Sequence, residues 1–224
     1  MATSPTRSEP GSSLFSGRYL LHFHTVATDG KLTVAEYFQY AREQGLDRLI
    51  WLEHIRRQPT YDVAALVVEV RRRSEETGIA ATLGFEAKVL PDGGLDLSEE
   101  HLVLADVIGL AEHGFKGSAE DLEHAISTAF ERYRGFRQRG VMIWVHPGLW
   151  LRKNRTLEIE QERYLRLLRL AQDCGVRLER NSRYGLLSDE FLGFVRPESV
   201  VIGADAHSRE ELARHEARCR TDTH

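Results

Sequence analysis

Short apolar runs that end in histidine or a carboxylate, each followed by an amphipathic helical stretch, constrain the fold of this chain more than any other feature. Tyr19-Leu20-Leu21 leads into His22-Phe23-His24-Thr25 and Asp29-Gly30, Leu49-Ile50-Trp51-Leu52 into Glu53-His54, and Ile79 to Phe85 into Glu86. Asp106 to Leu110 leads to His113, Val141 to Val145 to His146-Pro147-Gly148, Val176 to Glu179 to Asn181, and Ser199 to Gly203 to Asp205-Ala206-His207. These are seven predicted strands. Between them lie helical signals. Thr33-Val34-Ala35-Glu36 has the form of a capping box ahead of Val34, Phe38 and Ala41, and Gly45 closes that helix. Asp62 to Arg73 places Val63, Leu66, Val67 and Val70 on one stripe, with Gly78 as the stop. Pro91-Asp92-Gly93-Gly94 is a turn. Ser118 opens a helix carrying Leu122, Ala125, Ile126, Ala129, Phe130 and Tyr133, and Leu157 to Ala171 is the next helix. Asp189 to Val195 is a short helix, and Ser208 caps a charged last one.

Strand–helix alternation means a parallel sheet covered by helices. An open doubly wound sheet gathers its functional groups at one switch point, whereas a barrel gathers them from the ends of many strands. Here polar residues end nearly every strand, so the expected fold is α/β: a distorted (β/α)7 TIM-like barrel with its site at the C-terminal ends of the strands. No linker-like break or repeat interrupts it, so residues 18–217 read as one domain. Residues 1–17, rich in Ser, Pro, Gly and Thr, read as a disordered tail, and residues 218–224 as a frayed end.

A net charge of −4 and the lack of a basic, aromatic-studded stripe argue against nucleic acid or an anionic membrane as the partner. No apolar run approaches the roughly 20 residues that span a bilayer. Cys174 and Cys219 form no disulfide framework, which fits a reducing compartment, and the expected location is the cytoplasm.

The candidate ligands are His22, His24, Asp29, His54, Glu86, His113, His146, Asp205 and His207. Strand alternation puts His22 and His24 on one face, and likewise Asp205 and His207. A lone His near a strand end is more often a hydrogen-bonded structural residue. Six of the ten histidines at five strand ends are not explained that way; the other four, His101, His124, His215 and His224, read as solvated surface residues. A neutral network of these groups would leave many buried donors and acceptors unpaired, at roughly 1–3 kcal/mol each. Divalent cations resolve this, and N/O ligands without thiolate suit Zn, Mn or Fe alike.

In this order the motifs resemble the PHP (polymerase and histidinol phosphatase) family of metal-dependent phosphoesterases. His22-Phe23-His24-Thr25 with Asp29-Gly30 is similar to its first motif, Gly84-Phe85-Glu86 to its Gly-x-Glu, and His113 to its lone mid-chain His. His146-Pro147 is similar to its His-Pro, Glu179-Arg180-Asn181 to its Glu-x-Asn, and Asp205-Ala206-His207 to its closing Asp-x-His. Leu52-Glu53-His54 stands where that family has Thr-Asp-His, keeping the His but lengthening the carboxylate. The resemblance runs from about Tyr19 to Leu212 and implies a seven-stranded distorted barrel with two to three divalent metal ions. It implies His22, His24, Glu86 and Asp205 on one metal, Glu86, His113 and His146 on a second, and Asp29, His54 and His207 on a third, with Glu86 bridging. The implied activity is hydrolysis of a phosphomonoester on a small metabolite, histidinol phosphate-like or a nucleotide, by a hydroxide held on the metals.

Glu86, Asp205 and His207 are then the catalytic candidates. Of the cations that follow strand ends, Arg56, Lys116, Arg152, Arg180 and Arg183, the preferred phosphate-binding residues are Lys116, Arg180 and Arg183. Competing readings are a phosphodiesterase or exonuclease acting on nucleic acid ends, a hydrolase of C–N or C–O bonds, and a metal-stabilised binding module. The sequence leaves metal, substrate and oligomeric state open.

Overall fold

A computed structural model describes residues 14–221. The chain alternates strand and helix throughout. Its elements are β1 (Tyr19–Leu21), α1 (Val34–Gln44), β2 (Arg48–Ile50), β3 (Glu53–Ile55), α2 (Val63–Thr77), β4 (Ala80–Thr82), β5 (Gly84–Lys88), α3 (Glu99–Leu104), β6 (Val107–Ala111) and α4 (Ala119–Arg132). They continue with β7 (Val141–Trp144), α5 (Leu149–Lys153), α6 (Gln161–Asp173), β8 (Arg177–Asn181), α7 (Asp189–Leu192), β9 (Val200–Gly203) and α8 (Arg209–Thr221).

Local chemistry sets the helix ends. Thr33 and Glu36 form the expected capping box of α1, and Gly45 ends it in a left-handed conformation. Asp62 caps α2, which runs past Arg73 to Thr77 before the left-handed Gly78 stops it. Two short helices, α3 and α5, fall where the sequence gives no helical period, and α6 begins four residues later than expected, at Gln161.

Every strand pairing is parallel, in a three-stranded sheet of order β1-β2-β4 and a six-stranded sheet of order β3-β5-β6-β7-β8-β9. Nine strands replace the seven expected because two of them are interrupted, one at Trp51-Leu52 and one at Leu83. The register is continuous across both breaks: Ile50 pairs with Thr82 and Glu53 with Phe85, the same offset on either side. Trp51 N donates to Thr82 O across the gap at 2.9 Å. The last strand returns to the first. Ala204 N donates to Leu21 O at 2.8 Å, His24 N to Ala206 O at 2.9 Å, and Phe23 and Ala206 form a parallel bridge.

The strands separate two apolar clusters. The larger lies between strands and helices and includes Phe38, Trp51, Phe85, Ile108, Phe130, Trp144 and Leu178. The smaller holds the opposite face: Leu21, Ile50, Leu52, Val107, Val141, Ile143, Val145 and Val201. Leu14, Phe15 and Tyr19 pack on this second cluster, so the last residues of the expected N-terminal tail are part of the fold. Residues 1–13 of that tail lie outside the described residues. Helix α8 continues to Thr221, past the expected fray at Arg218, because its Leu212 and His215 are buried. Among the described residues, no helix is long and apolar enough to cross a membrane.

Gly84 sits where the backbones crowd. A Cβ there would lie 2.6 Å from Trp51 O and 2.7 Å from Val107 O, both fixed in pairing strands. Gly84→Ala is therefore expected to destabilise the protein by about 1–3 kcal/mol, read as a lower denaturant midpoint with an unchanged slope. A midpoint equal to that of the original protein would show that β5 can shift freely.

Candidate metal centre

The smaller cluster fills one face of the strands, and the same face becomes polar toward the C-terminal ends. In β5 the residues Gly84, Glu86 and Lys88 alternate onto that face, and in β8 Glu179 and Asn181 do so. All nine candidate ligands converge there. Their ligand atoms fall into four overlapping groups: His24, Asp29, His54 and His207; His22, His24 and Glu86; His22, His146 and Asp205; and His54, Glu86 and His113.

Strand alternation is not what brings His22 and His24 together. His22 lies just beyond β1 with φ 64°, in the left-handed region, and Asp205 lies beyond β9 with φ 50°. His146, after β7, has φ 33°. Non-glycine residues reach this region only at a cost on the order of 1–2 kcal/mol. Three strands thus turn sharply at their ends, each at a candidate ligand.

Glu86 is the centre of the array, fully buried at 1% exposure. Its Oε2 lies 3.6 Å from both His22 Nε2 and His24 Nε2. Asp205 Oδ1 completes this group at 3.9 and 3.6 Å from the same two nitrogens. Glu86 Oε1 lies 2.9 Å from His113 Nε2 and 2.8 Å from His146 Nε2. Asp29 Oδ1 lies 3.5 Å from His54 Nε2 and 3.3 Å from His207 Nε2. His54 also joins the first group to the third, its Nδ1 2.7 Å from Glu86 Oε2. Among the described residues His22 Nε2, His24 Nε2 and Glu86 Oε2 are buried with no hydrogen-bond partner. Three orphaned lone-pair donors facing one another are costly without a cation between them. The donor set, imidazole and carboxylate with no thiolate, fits a divalent metal.

A second layer of carboxylates holds the imidazoles. Glu179, 0% exposed, binds His22 Nδ1 through Oε1 at 2.6 Å, and its Oε2 accepts from His146 N at 2.6 Å. Asn181 Nδ2 donates to Glu179 Oε2 at 3.0 Å and to Asp205 Oδ2 at 3.4 Å. One Glu–Asn pair therefore supports all three left-handed candidate ligands. Gly203 makes room for it: a Cβ there would lie 1.7 Å from Glu179 Oε1. The repeat of acidic and amide residues two apart in β8 is the sequence signal for this role, as it is for His22 and His24. Glu53 accepts from Thr25 N at 2.9 Å, Thr25 Oγ1 at 2.6 Å and the Thr28 hydroxyl, and its Oε1 lies 3.7 Å from His24 Nδ1. The longer side chain at 53 thus backs His24 while tying down the loop that carries Asp29. Glu112, which the sequence does not single out, accepts from Trp144 Nε1 at 3.1 Å and Trp150 N at 3.0 Å, fixing the loop after His146. Burial pushes its carboxyl up to about 7.

The three preferred phosphate cations separate. Arg183 sits at the cluster: its Nη1 lies 3.4 Å from Asp205 Oδ1 and also contacts His207 Nδ1. Arg180 does not reach it. Between Glu179 and Asn181 on β8, it faces the opposite side of the sheet, where its Nη2 pairs with Asp189 Oδ1 at 3.0 Å. Lys116 is exposed on the loop between β6 and α4. Of the histidines read as solvated, His215 is buried at 8% exposure, its Nδ1 2.7 Å from Ser182 Oγ.

Charge follows this packing. Burial opposes ionisation of Glu86, yet the imidazoles of His54, His113, His146 and His22 hold its carboxyl well below the usual range. Burial likewise opposes a charge on His54, and the Glu86 and Asp29 carboxylates outweigh it, raising the imidazole to about 10. His207 goes the other way, pushed down to about 4 by burial and by the charges of His24 and Arg183.

No family model matches the chain, and no curated protein matches it. Solved structures share its fold. Histidinol phosphate phosphatase from Lactococcus lactis subsp. lactis, solved with zinc, L-histidinol and phosphate, is 15% identical, with a TM-score of 0.58 over 92% of this chain and 93% of that one. A two-domain Bacteroides vulgatus protein containing a predicted PHP-like metal-dependent phosphoesterase is 19% identical, with a TM-score of 0.52 over 88% of this chain and 53% of that one. What the chain shares with these structures is the fold, mixed α/β with parallel sheets.

The geometry predicts two outcomes. Glu179→Ala removes the acceptor that orients His22, so affinity for zinc or manganese should fall roughly 10- to 100-fold while the circular dichroism spectrum of the metal-free protein is retained. Unchanged affinity would show that His22 needs no such support. Below about pH 10 the metal-free His54 is protonated, and a cation must displace that proton. Metal affinity should therefore rise with pH through the neutral range, with protons released on loading. Titration calorimetry in two buffers of different ionisation enthalpy measures the release, and an affinity independent of both pH and buffer would contradict it.

Proposed function

We propose that this chain is a metal-dependent phosphoesterase that hydrolyses a phosphomonoester of a small metabolite, histidinol phosphate-like or a nucleotide. The observation that carries this reading is the division of Glu86: one buried carboxylate presents Oε2 to His22 and His24 and Oε1 to His113 and His146. A bridging ligand between two cations has this arrangement. In this reading the joined strands form a single distorted seven-stranded barrel in residues 18–217; the continuous register across both breaks and the return of Ala204 and Ala206 to β1 support it.

His22, His24, Asp205 and Glu86 would hold one ion, Glu86, His113 and His146 a second, and Asp29, His54 and His207 a third. Bound divalent ions would supply Lewis acidity and bring the pKa of a water toward neutrality. The rest falls to the protein. Glu86, Asp205 and His207 fix the positions of the reacting groups. Arg183, anchored by Asp205 and by Glu211 at 3.5 Å, presents a guanidinium beside the ligands, where it can grip non-bridging phosphate oxygens. His207, neutral at physiological pH, offers a lone pair and not an acidic proton. A proton on the leaving oxygen is then drawn from water at the open mouth.

Protein purified without chelator is expected to carry about two to three divalent ions per chain and to hydrolyse p-nitrophenyl phosphate. Glu86→Ala should lose both metal and activity while remaining folded. Metal analysis finding none after growth in supplemented medium, or full activity in that variant, would overturn the proposal.

A further inference from the structure

Two lysines stand at the mouth that the sequence motifs do not mark. Lys88 follows Glu86 by two residues in β5 and so shares its face, one step closer to the opening. Its side chain is half-buried, and its ammonium lies 3.4 Å from where a Cβ on Gly114 would be. Gly114 directly follows His113, so this ammonium stands beside the loop that carries a candidate ligand. Lys153, at the end of α5, comes from the other wall. Its Nζ lies 5.6 Å from the centre of the Tyr184 ring, which itself stands edge-on to His146 at 6.2 Å.

Neither lysine has a carboxylate within ion-pair distance among the described residues. Arg56 differs, since it pairs with Asp96 at 3.5 Å, and Arg183 differs, since it pairs with Asp205 and Glu211. Lys88 is half-buried and Lys153 exposed, and each carries a charge that an approaching anion can neutralise. They flank His113 and His146, whereas Arg183 flanks Asp205 and His207.

We propose that Lys88 and Lys153 form an anion subsite at the rim beside His113 and His146, which selects the dianion of a phosphomonoester over the monoanion of a phosphodiester. The inference rests on the phosphoesterase reading above and names the residues that select its ester class. A monoester brings two negative charges and three unsubstituted oxygens to the site. A diester brings one charge and has one of those oxygens substituted. Charge-assisted contacts to the extra oxygen favour the first.

The test compares hydrolysis of p-nitrophenyl phosphate and bis-p-nitrophenyl phosphate by the metal-loaded protein and its Lys88→Gln, Lys88→Arg and Lys153→Gln variants, with metal content measured for each. Removing the Lys88 charge should lower kcat/KM on the monoester roughly tenfold and leave the diester within about twofold. Lys153→Gln, at the more exposed position, should shift the monoester-to-diester ratio in the same direction by a smaller factor, and Lys88→Arg should restore most of it. An unchanged ratio in both glutamine variants at full metal loading, or an equal loss on both esters, would overturn the subsite. Calorimetric binding of inorganic phosphate keeps the two ideas apart. If the original protein hydrolyses neither ester, the phosphoesterase reading fails. Weaker phosphate binding by Lys88→Gln would still support the anion subsite, and equal binding would overturn it.

Discussion

The carboxylate of Glu179 is the interaction on which the site depends. A polar group buried this completely is tolerated only when both its oxygens are engaged. Here the partners are the His22 ring, the His146 amide and the Asn181 side chain. Those contacts tie the ends of β1, β7 and β8 together, and Asn181 extends the tie to Asp205 beyond β9. The three left-handed candidate ligands, each costly alone, are held by one carboxyl group. Order in the ligand cluster is thus imposed from below, by a group that is not itself among the candidate ligands.

The class of fold was legible because the alternation of apolar runs and helical stripes follows from pleat and helix geometry alone. The interruption of two strands was not. It arises where backbones crowd at Gly84 and at the Trp51–Leu52 step, and crowding between strands leaves no period in the sequence. Short α3 and α5 went unseen for a related reason: five or six residues are too few for a helical rhythm to register. Packing of Leu14 and Phe15 against the smaller cluster was hidden by the polar composition around them.

The nine candidate ligands were legible as residue types at strand ends, and the structure gathers all nine. The reason given for the His22–His24 pair was the wrong one, since a left-handed turn and not strand alternation aims His22. Alternation does apply within β8, and there it corrects the sequence reading: with Glu179 and Asn181 facing the cluster, Arg180 must face away. His215 looked like any charged-helix histidine until Ser182, far off in sequence, covered it. Glu53 shows how a lengthened side chain keeps a supporting role, because Thr25 and Thr28 meet it from the neighbouring loop.

Return of the final strand to the first has a consequence for how the protein matures. His22 and Asp205 belong to opposite ends of the polypeptide, yet their ring nitrogen and carboxylate face the same point. A nascent or partly folded chain therefore cannot assemble this chelate, because half of it is still unmade when the other half emerges. Non-local closure of this kind is slow and comes late. A cation held by both residues would therefore be captured only after the whole domain is complete, by a folded cavity and not by a flexible chain.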